Sequence, residues 1–237
     1  MKVSSLFVFH GLAFAWYVFL VAFINTIGTG PGDKKPDNIV AYGGPWKFLT
    51  VLNLVLQAVY FGVSLLIDAL VLMKQLRIAK SMFPFRDLIF GSLAFPISML
   101  VFTIFWTLYL YDRELVYPKS LDTLLPLWVN HAMHTVILPL SLTDLLITPH
   151  RYPPKRKGIG VLAIGGAAYL CWLLWIYSVT GRWVYPIFEK LSVPGIAAFF
   201  VWNTFIALFC YNTGEFLCRM IWGDSVVILD IYKKKSK

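Results

Sequence analysis

Charged residues are scarce in this sequence. Only 14% of its 237 residues are Asp, Glu, Lys or Arg, whereas about 25% is usual for a soluble domain. Hydrophobic residues make up 59%, against a usual value of about 45–50%. This shortage of charge excludes an ordinary soluble protein and indicates a polytopic membrane protein.

Acidic residues are the scarcer of the two charge types. The 12 Asp and Glu residues are outnumbered by 21 Lys and Arg residues, which gives a net charge of +9. Such a surplus would suggest nucleic-acid binding if the basic residues formed one patch on a soluble face. Here they form short runs between apolar segments, which is the pattern of membrane topology. We therefore predict no nucleic-acid partner.

Cysteines are few, and cofactor motifs are missing. Cys171, Cys210 and Cys218 all lie in apolar segments, have no metal-ligand spacing and cannot all pair with one another. We interpret them as small core residues. The sequence has neither a glycine-rich phosphate loop nor a Cys/His cluster, so it predicts no cofactor and no metal site.

Six apolar segments are long enough to cross a hydrocarbon core, which requires about 20 residues. They predict an all-α fold in which residues 1–237 form a single transmembrane domain, with 223–237 as a basic tail. The first segment is too long for the apolar region of a signal peptide, so we expect it to be retained. The segments are 3–27, 46–73, 86–111, 122–148, 158–180 and 195–222.

The basic residues predict the orientation of these spans. Of the 21 Lys and Arg residues, 14 fall on the side that holds both termini and 7 fall on the other side. Basic residues are enriched in cytosolic loops, so both termini are predicted to be cytosolic. The opposite loops carry the motif "VYP" twice, at 116–118 and 184–186, where aromatic side chains fit a membrane interface.

Several ionisable residues lie within or near the predicted spans, where charge is costly. Asp68 and Asp144 fall near the cytosolic ends of their helices, and we predict a structural role for them, with loop lysines as candidate partners. Glu215 lies four residues before Arg219, which is the spacing of a helical ion pair. The isolated His10 is predicted to be a packing or interfacial residue.

Thr50 and the histidines of "NHAMH" are predicted to lie at similar depth. The second span enters from the non-cytosolic side, which places Thr50 about one turn inside the membrane at about 1.5 Å per residue. The fourth span enters from the same side, so His131 and His134 lie about one to two turns in. An imidazole can accept a proton from a hydroxyl and thereby activate it as a nucleophile.

Three interpretations of this constellation remain open on spacing alone. The first is Thr–His catalysis. The second, which spacing alone favours, is structural packing, in which the threonine bonds its own backbone and the histidine bonds a neighbouring helix. The third is metal binding or transport, for which the two histidines offer no acidic or cysteine partner.

Longer strings of the sequence resemble the androgen-induced family of membrane proteins over essentially the whole chain. The resemblance implies a six-span hydrolase of fatty acid esters of hydroxy fatty acids (FAHFAs). The family's nucleophilic threonine matches the last residue of "WKFLT", Thr50, and its histidine matches the second in "NHAMH", His134; it gives His131 no catalytic role. The strings are "GGPWKFLTVLNLVLQAVYFG", "FRDLIFGSLAFP", "YDRELVYPKSLDTLLPLWVNHAMHTVILP" and "TGRWVYPIFEKLS".

Together, the residues and the resemblance predict a threonine-dependent lipid ester hydrolase. Thr50 is expected to attack the ester, with His134 as general base, and water is expected to hydrolyse the acyl-enzyme. Asn130, one turn before His134, is a candidate to orient the imidazole, and Asn53 is a candidate oxyanion donor. His131 is the third possible supporting residue, as a packing or hydrogen-bonding neighbour.

The expected partners are a bioactive lipid ester and membrane lipids. The resemblance also implies regulation of the coagulation inhibitor TFPI, which a non-enzymatic membrane scaffold could carry out, and a small transporter is a third possibility. For location, the resemblance implies the plasma membrane. The ending "KKKSK" places Lys234 and Lys235 as a di-lysine retrieval signal, which predicts the endoplasmic reticulum; a polybasic tail held by anionic lipid is the alternative.

Overall fold

A computed structural model describes residues 3–27 and 42–223. Helices dominate these ranges, and no β-strand occurs within them, so the predicted all-α class is confirmed. The α-helices are α1 Val3–Thr26, α2 Leu49–Leu72, α3 Leu76–Ile89, α4 Phe95–Asp112, α5 Leu127–His134, α6 Ile137–Ile147, α7 Lys155–Thr180, α8 Ile187–Lys190 and α9 Val193–Trp222.

Within residues 3–27 and 42–223, five helical stretches are long and apolar enough to cross a membrane. The fourth predicted span corresponds instead to the two shorter helices α5 and α6. The count of six spans and the cytosolic termini therefore stay predictions. The tail from residue 224 onward, with its di-lysine signal, lies outside the described residues. The five stretches are Val3–Thr26, Leu49–Leu72, Leu76–Leu115, Lys155–Thr180 and Val193–Trp222.

The expectation of one continuous helix over 122–148 is wrong, because the helix breaks at Thr135 and Val136. Pro139 has no N–H to donate to the carbonyl of Thr135, and its ring clashes with that carbonyl in a regular helix. The chain responds with a wider turn, in which the Val136 N–H donates to the carbonyl of His131 at 3.0 Å. The break leaves His134 at the last position of α5.

The third predicted span begins ten residues earlier than its expected start at 86, because helix α3 begins at Leu76. Basic residues lower the hydropathy of α3, so the sequence of this helix does not form an apolar run. A π-helical turn, Phe90–Ala94, joins α3 to α4. Pro96 lacks an N–H to donate, and a local π-turn is a common way to absorb such a loss.

Close approach between helices depends on two glycines. A Cβ on Gly62 of α2 would meet the Phe14 ring of α1 at 3.0 Å, and a Cβ on Gly214 of α9 would meet the Phe95 ring of α4 at 2.6 Å. Small residues have this role in membrane helices, where association depends on tight packing rather than on exclusion of water. Helix α1 lies against α2, and α9 lies against α4.

A fully buried polar network joins α1, α2 and α6. His10 of α1 contacts two carboxylates, through Nδ1 with Asp68 Oδ2 at 2.6 Å and through Nε2 with Asp144 Oδ1 at 2.9 Å. Asp144 also accepts hydrogen bonds from the hydroxyls of Tyr60 and Thr148. The candidate lysine partners of Asp68 and Asp144 are therefore wrong, because these carboxylates contact buried histidines instead.

His150 extends this network to α3. Its Nε2 lies 3.0 Å from Asp144 Oδ2, and its Nδ1 lies 3.2 Å from Asp87 Oδ1. Asp87 in turn accepts from the Arg86 guanidinium at 2.7 Å. Each ring nitrogen of His150 therefore faces a carboxylate, and the network links α3 to α6 through this imidazole.

The sequence-based expectation for α9 is confirmed. Arg219 Nη2 lies 2.9 Å from Glu215 Oε1, as the i, i+4 spacing predicted, and Lys155 of α7 lies 3.6 Å from the other oxygen of the same carboxylate. These contacts are at one end of α7 and α9. Farther along α9, apolar side chains such as Trp202 and Phe205 are exposed, as expected for a helix that faces lipid.

Candidate active site

The two residues matched to the family's threonine and histidine are in contact. Thr50 is the second residue of α2, His134 is the last residue of α5, and the Thr50 Oγ1 lies 3.2 Å from the His134 Nε2. The contact follows from two helix ends at the same level of the bundle. Thr50 is half-buried and His134 is buried, so the pair lies at the edge of the core rather than on the surface.

Asn130 defines which nitrogen of His134 carries the proton. The His134 Nδ1 lies 3.0 Å from the Asn130 backbone oxygen and 2.8 Å from its side-chain Oδ1. A backbone oxygen only accepts hydrogen bonds, so Nδ1 must be the donor. In the neutral ring the Nε2 lone pair is then free to accept the proton of the Thr50 hydroxyl, as a general base requires.

Phe105 fixes the plane of the imidazole. Its ring stacks on the His134 ring, with centroids 3.5 Å apart and planes 7° from parallel, and Phe105 is itself buried. The phenyl ring covers one face of the imidazole, and Asn130 holds one edge. His134 therefore has little freedom to turn away from Thr50, which is the arrangement that positions a catalytic base in advance.

Two tyrosines hold the helix turn that carries Thr50. The Leu49 N–H, which has no helical partner in the first turn, donates to the hydroxyls of Tyr169 at 3.0 Å and Tyr185 at 3.1 Å. The two hydroxyls are 2.9 Å apart, and Tyr169 can also donate to the Lys47 carbonyl at 3.2 Å. Burial raises the pKa of the Tyr185 phenol above its usual value, so this hydroxyl keeps its proton near neutral pH.

Neither tyrosine is marked as functional by the sequence. Tyr185 belongs to the second "VYP" motif, which indicates only an interfacial aromatic residue, and Tyr169 lies in an apolar run with no motif of its own. They are 136 and 120 residues from Leu49 along the chain. No local pattern reports a contact over such a separation.

For the ester hydrolysis that the sequence predicts, Tyr185→Phe is expected to lower kcat by about tenfold or more. The variant keeps the ring, which contacts Phe48 and Phe188, but removes a hydroxyl that holds the turn carrying Thr50. Small displacements of a reacting group can cost about 10²-fold. Steady-state kinetics would measure the loss, with Tyr177→Phe as a matched control because Tyr177 stacks on Trp183. A Tyr185→Phe enzyme with unchanged kcat would contradict the role.

The other sequence-predicted residues lie outside this pair. Asn53 is buried, its Oδ1 accepts from Gln57 at 3.2 Å, and its Nδ2 has no partner among the described residues. His131 is exposed, lies 3.0 Å from the Thr135 hydroxyl and stacks on the ring of Trp106. The structure thus joins Thr50, His134 and Asn130, and it places Asn53 and His131 in separate contacts.

A large apolar cavity opens at Thr50 and His134. Its volume is about 710 Å³, within the range of about 300–1,000 Å³ that is usual for ligand pockets. The walls are formed mainly by α4, α7 and α9, with the 115–125 connection at one end. The polar side chains on the walls are Asn25, Thr50, Tyr117, His134, Tyr169, Tyr185, Asn203 and Thr204. A cavity of this kind suits a ligand that is mostly hydrocarbon with one reactive polar group.

The described part of the chain has no group of side chains arranged to hold a metal ion. Within residues 3–27 and 42–223, no group of three or more His, Cys, Asp or Glu side chains has the arrangement of a metal site. The three cysteines are unpaired, with Cys210 and Cys218 buried and Cys171 exposed, so the interpretation as core residues is wrong for Cys171.

Comparison with known proteins identifies similar membrane proteins. A profile of the family described as FAR-17a/AIG1-like protein matches residues 5–219. Androgen-dependent TFPI-regulating protein from Homo sapiens is 45% identical over 224 residues, which cover 94% of this chain and 96% of the relative. Androgen-induced gene 1 protein from Homo sapiens is 39% identical over 203 residues, 83% of this chain and 85% of the relative.

More distant similarity reaches fungi. A UPF0641 membrane protein from Schizosaccharomyces pombe is 26% identical over 175 residues, which cover 72% of this chain and 74% of the relative. No solved structure matches the chain. The apolar helices and these relatives agree on a protein that crosses the membrane several times.

Proposed function

The chain belongs to the FAR-17a/AIG1-like protein family, and from this premise we propose that it is a membrane-embedded hydrolase of FAHFAs. One observation carries the proposal. The Thr50 hydroxyl lies 3.2 Å from the free nitrogen of a histidine whose other nitrogen is held by Asn130, and the pair opens on an apolar cavity. A lipid ester has one reactive carbonyl, which suits the Thr50–His134 pair, and two hydrocarbon parts, which suit the apolar cavity.

Acylation is the first step of the proposed reaction. The Thr50 Oγ attacks the ester carbonyl carbon, while its proton passes to His134 Nε2. The tetrahedral intermediate collapses, and the bond between the carbonyl carbon and the oxygen of the hydroxy fatty acid breaks. His134 returns the proton to that oxygen, so the hydroxy fatty acid leaves as an alcohol and Thr50 carries the acyl group as an ester.

Deacylation repeats the same proton transfers with water. His134 takes a proton from a water molecule as that water attacks the acyl-Thr50 carbonyl. When the second tetrahedral intermediate collapses, the proton passes from His134 to the Thr50 oxygen. The products are a free fatty acid and the original hydroxyl, so no cofactor is consumed.

Charge that develops during these steps needs stabilising partners. The imidazolium form of His134 would be stabilised by the two oxygens of Asn130, which accept from its Nδ1. For the oxyanion we favour Tyr185 over Asn53, because Tyr185 lines the cavity next to the Thr50 turn whereas Asn53 points into the core. When Tyr169 donates to the Tyr185 oxygen, the Tyr185 proton becomes available to the substrate.

The proposal is tested with the purified full chain in detergent. We expect it to convert a FAHFA into equimolar fatty acid and hydroxy fatty acid, measured by mass spectrometry. We also expect a fluorophosphonate probe to label it at Thr50, because an activated hydroxyl attacks phosphorus. Purified, folded protein that neither cleaves FAHFAs nor takes the probe would refute the hydrolase proposal.

A second function rests on the name of one relative. Androgen-dependent TFPI-regulating protein is, by its name, a regulator of TFPI. We propose that this chain affects the same coagulation inhibitor from the plasma membrane or the endoplasmic reticulum. Release of TFPI from cells that carry Thr50→Ala protein would separate a scaffold role, which survives the substitution, from a role that depends on hydrolysis.

A further inference from the structure

The cavity continues well below the reacting pair. On α7, Tyr169 lies level with the start of α2, because its hydroxyl contacts the Leu49 N–H. The cavity wall on the same helix extends down to Ile159, ten residues earlier. At about 1.5 Å per residue this distance is about 15 Å. We name this lower part, between α4, α7 and α9, the deep arm.

The deep arm presents apolar surface. Its walls include Ile97, Leu100 and Val101 of α4, Ile159, Leu162, Ala163 and Gly166 of α7, and Ala207 and Leu208 of α9. The polar side chains at its upper edge, Asn203 and Thr204, donate to carbonyls of their own helix at 2.8 and 2.9 Å. Their donors are therefore engaged with the backbone, and the arm offers nothing to attract a charged group.

The opposite end of the cavity is different. There the lining comes from the end of α1, the 115–125 connection and the segment around Tyr185, where the chain leaves its helices. A carboxylate buried in hydrocarbon is very costly without a partner. The free carboxylate of a FAHFA therefore belongs at this loop-lined end, and the hydroxy acid part must lie with it.

From this asymmetry we infer that the deep arm binds the acyl chain of the ester and limits its length. The inference rests on the proposed function, and it adds which of the two hydrocarbon parts enters the arm. An extended chain gains about 1.3 Å per carbon, from C–C bonds of about 1.5 Å, so about 15 Å holds about twelve carbons. Gly166 and Ala163 are the specificity-determining residues, because their small size keeps the arm open.

Space at Gly166 supports this assignment. Gly166 lines the cavity, and a Cβ built on it meets no atom within 4 Å, so the first atom of a larger side chain has open space there. Gly166 is three residues below Tyr169, or about 4.5 Å, and Ala163 is six residues below it, or about 9 Å. Leucine at the two positions should therefore close the arm at two different depths.

Hydrolysis of esters with graded acyl chains tests the inference. We expect Gly166→Leu to lower the ratio of palmitoyl to acetyl ester hydrolysis by at least tenfold. Ala163→Leu should accept chains of intermediate length that Gly166→Leu rejects. Gly160→Leu is the matched control, because Gly160 lies on the same helix in open space but is not part of the cavity wall; its chain-length profile should equal that of the wild type.

The hydroxy acid part supplies the second comparison. Lengthening this part at constant acyl length should affect wild type and Gly166→Leu equally, because the arm does not hold it. Three results would each overturn the inference: an unchanged acyl-length profile in Gly166→Leu, an equal loss for acetyl and palmitoyl esters, or a new sensitivity to the length of the hydroxy acid.

Photocrosslinking separates this inference from the proposed function. A palmitoyl ester with a diazirine on its terminal carbon is irradiated with Thr50→Ala protein, which should not turn it over. Crosslinks are expected near Ile159 on α7, Ile97 on α4 or Leu208 on α9. If the wild type cleaves no ester, the hydrolase proposal fails, yet crosslinks at these residues still support a chain in the arm. Crosslinks confined to the 115–125 connection would refute it.

Discussion

Thr50→Ala and His134→Ala are each expected to abolish ester hydrolysis by folded protein. The first variant removes the oxygen that we propose attacks the ester, and the second removes the proposed base 3.2 Å from it, so neither should form the proposed acyl-enzyme. We expect kcat to fall by at least about 10³-fold in each case, as for members of other nucleophile–base pairs. Hydrolysis of a FAHFA by purified variants, checked for folding by gel filtration, measures the effect.

Residues that act as a unit are not additive, and this gives a stricter test. The Thr50→Ala/His134→Ala double variant should be no less active than either single variant. Thr50→Ser keeps a hydroxyl and should retain part of the activity. The matched controls are Thr135→Ala and His131→Ala, which alter a neighbouring hydroxyl–imidazole contact of 3.0 Å outside the proposed centre.

The contrary result is equally clear. If folded Thr50→Ala protein hydrolyses substrate and still takes the fluorophosphonate probe, the Thr–His mechanism is wrong. The contact of Thr50 with His134 would then be a structural hydrogen bond between two helix ends. A loss of activity in the His131→Ala control as large as that in His134→Ala would also contradict the assignment, because His131 is exposed.

The similar depth of Thr50 and His134 could be predicted because it depends on few assumptions. Segment length, the alternation of basic loops and the helical rise together predict that both residues lie in the same half of the membrane. Asn130 could be added because a spacing of four residues puts two side chains on one helix face. These regularities are local, and the sequence displays them directly.

Other features depend on how distant segments meet. His10 lies 58 residues from Asp68 and 134 residues from Asp144, so no spacing rule connects them. The deep arm exists because α4, α7 and α9 leave space between them, and hydropathy does not encode such a gap. Pro139 indicates a break in the helix after His134, whereas the length of the apolar run at 122–148 favours an uninterrupted span.

The buried network provides the second large effect, and it concerns stability. Asp144→Leu is expected to lower the midpoint of thermal unfolding by about 10 °C, which corresponds to the loss of several kcal/mol. Asp144 is fully buried and receives hydrogen bonds or ion pairs from His10, His150 and Tyr60. In Asp144→Leu, the imidazoles of His10 and His150 each lose a carboxylate partner. Water cannot replace it, because both rings are buried. Thermal unfolding in detergent, followed by gel filtration, measures the shift.

A surface carboxylate and a second substitution make the test specific. Asp122→Asn removes an exposed partner of Arg113 and should change the midpoint little, because exposed ion pairs contribute little. His10→Gln combined with Asp144→Asn should cost less than the sum of the two single losses, because each single variant leaves the other group buried without its partner. Strict additivity, or an Asp144→Leu midpoint equal to that of the wild type, would show that His10 and Asp144 do not stabilise the bundle as a pair. An unchanged midpoint in Asp144→Leu would further show that the fold that holds Thr50 and His134 together does not depend on this network.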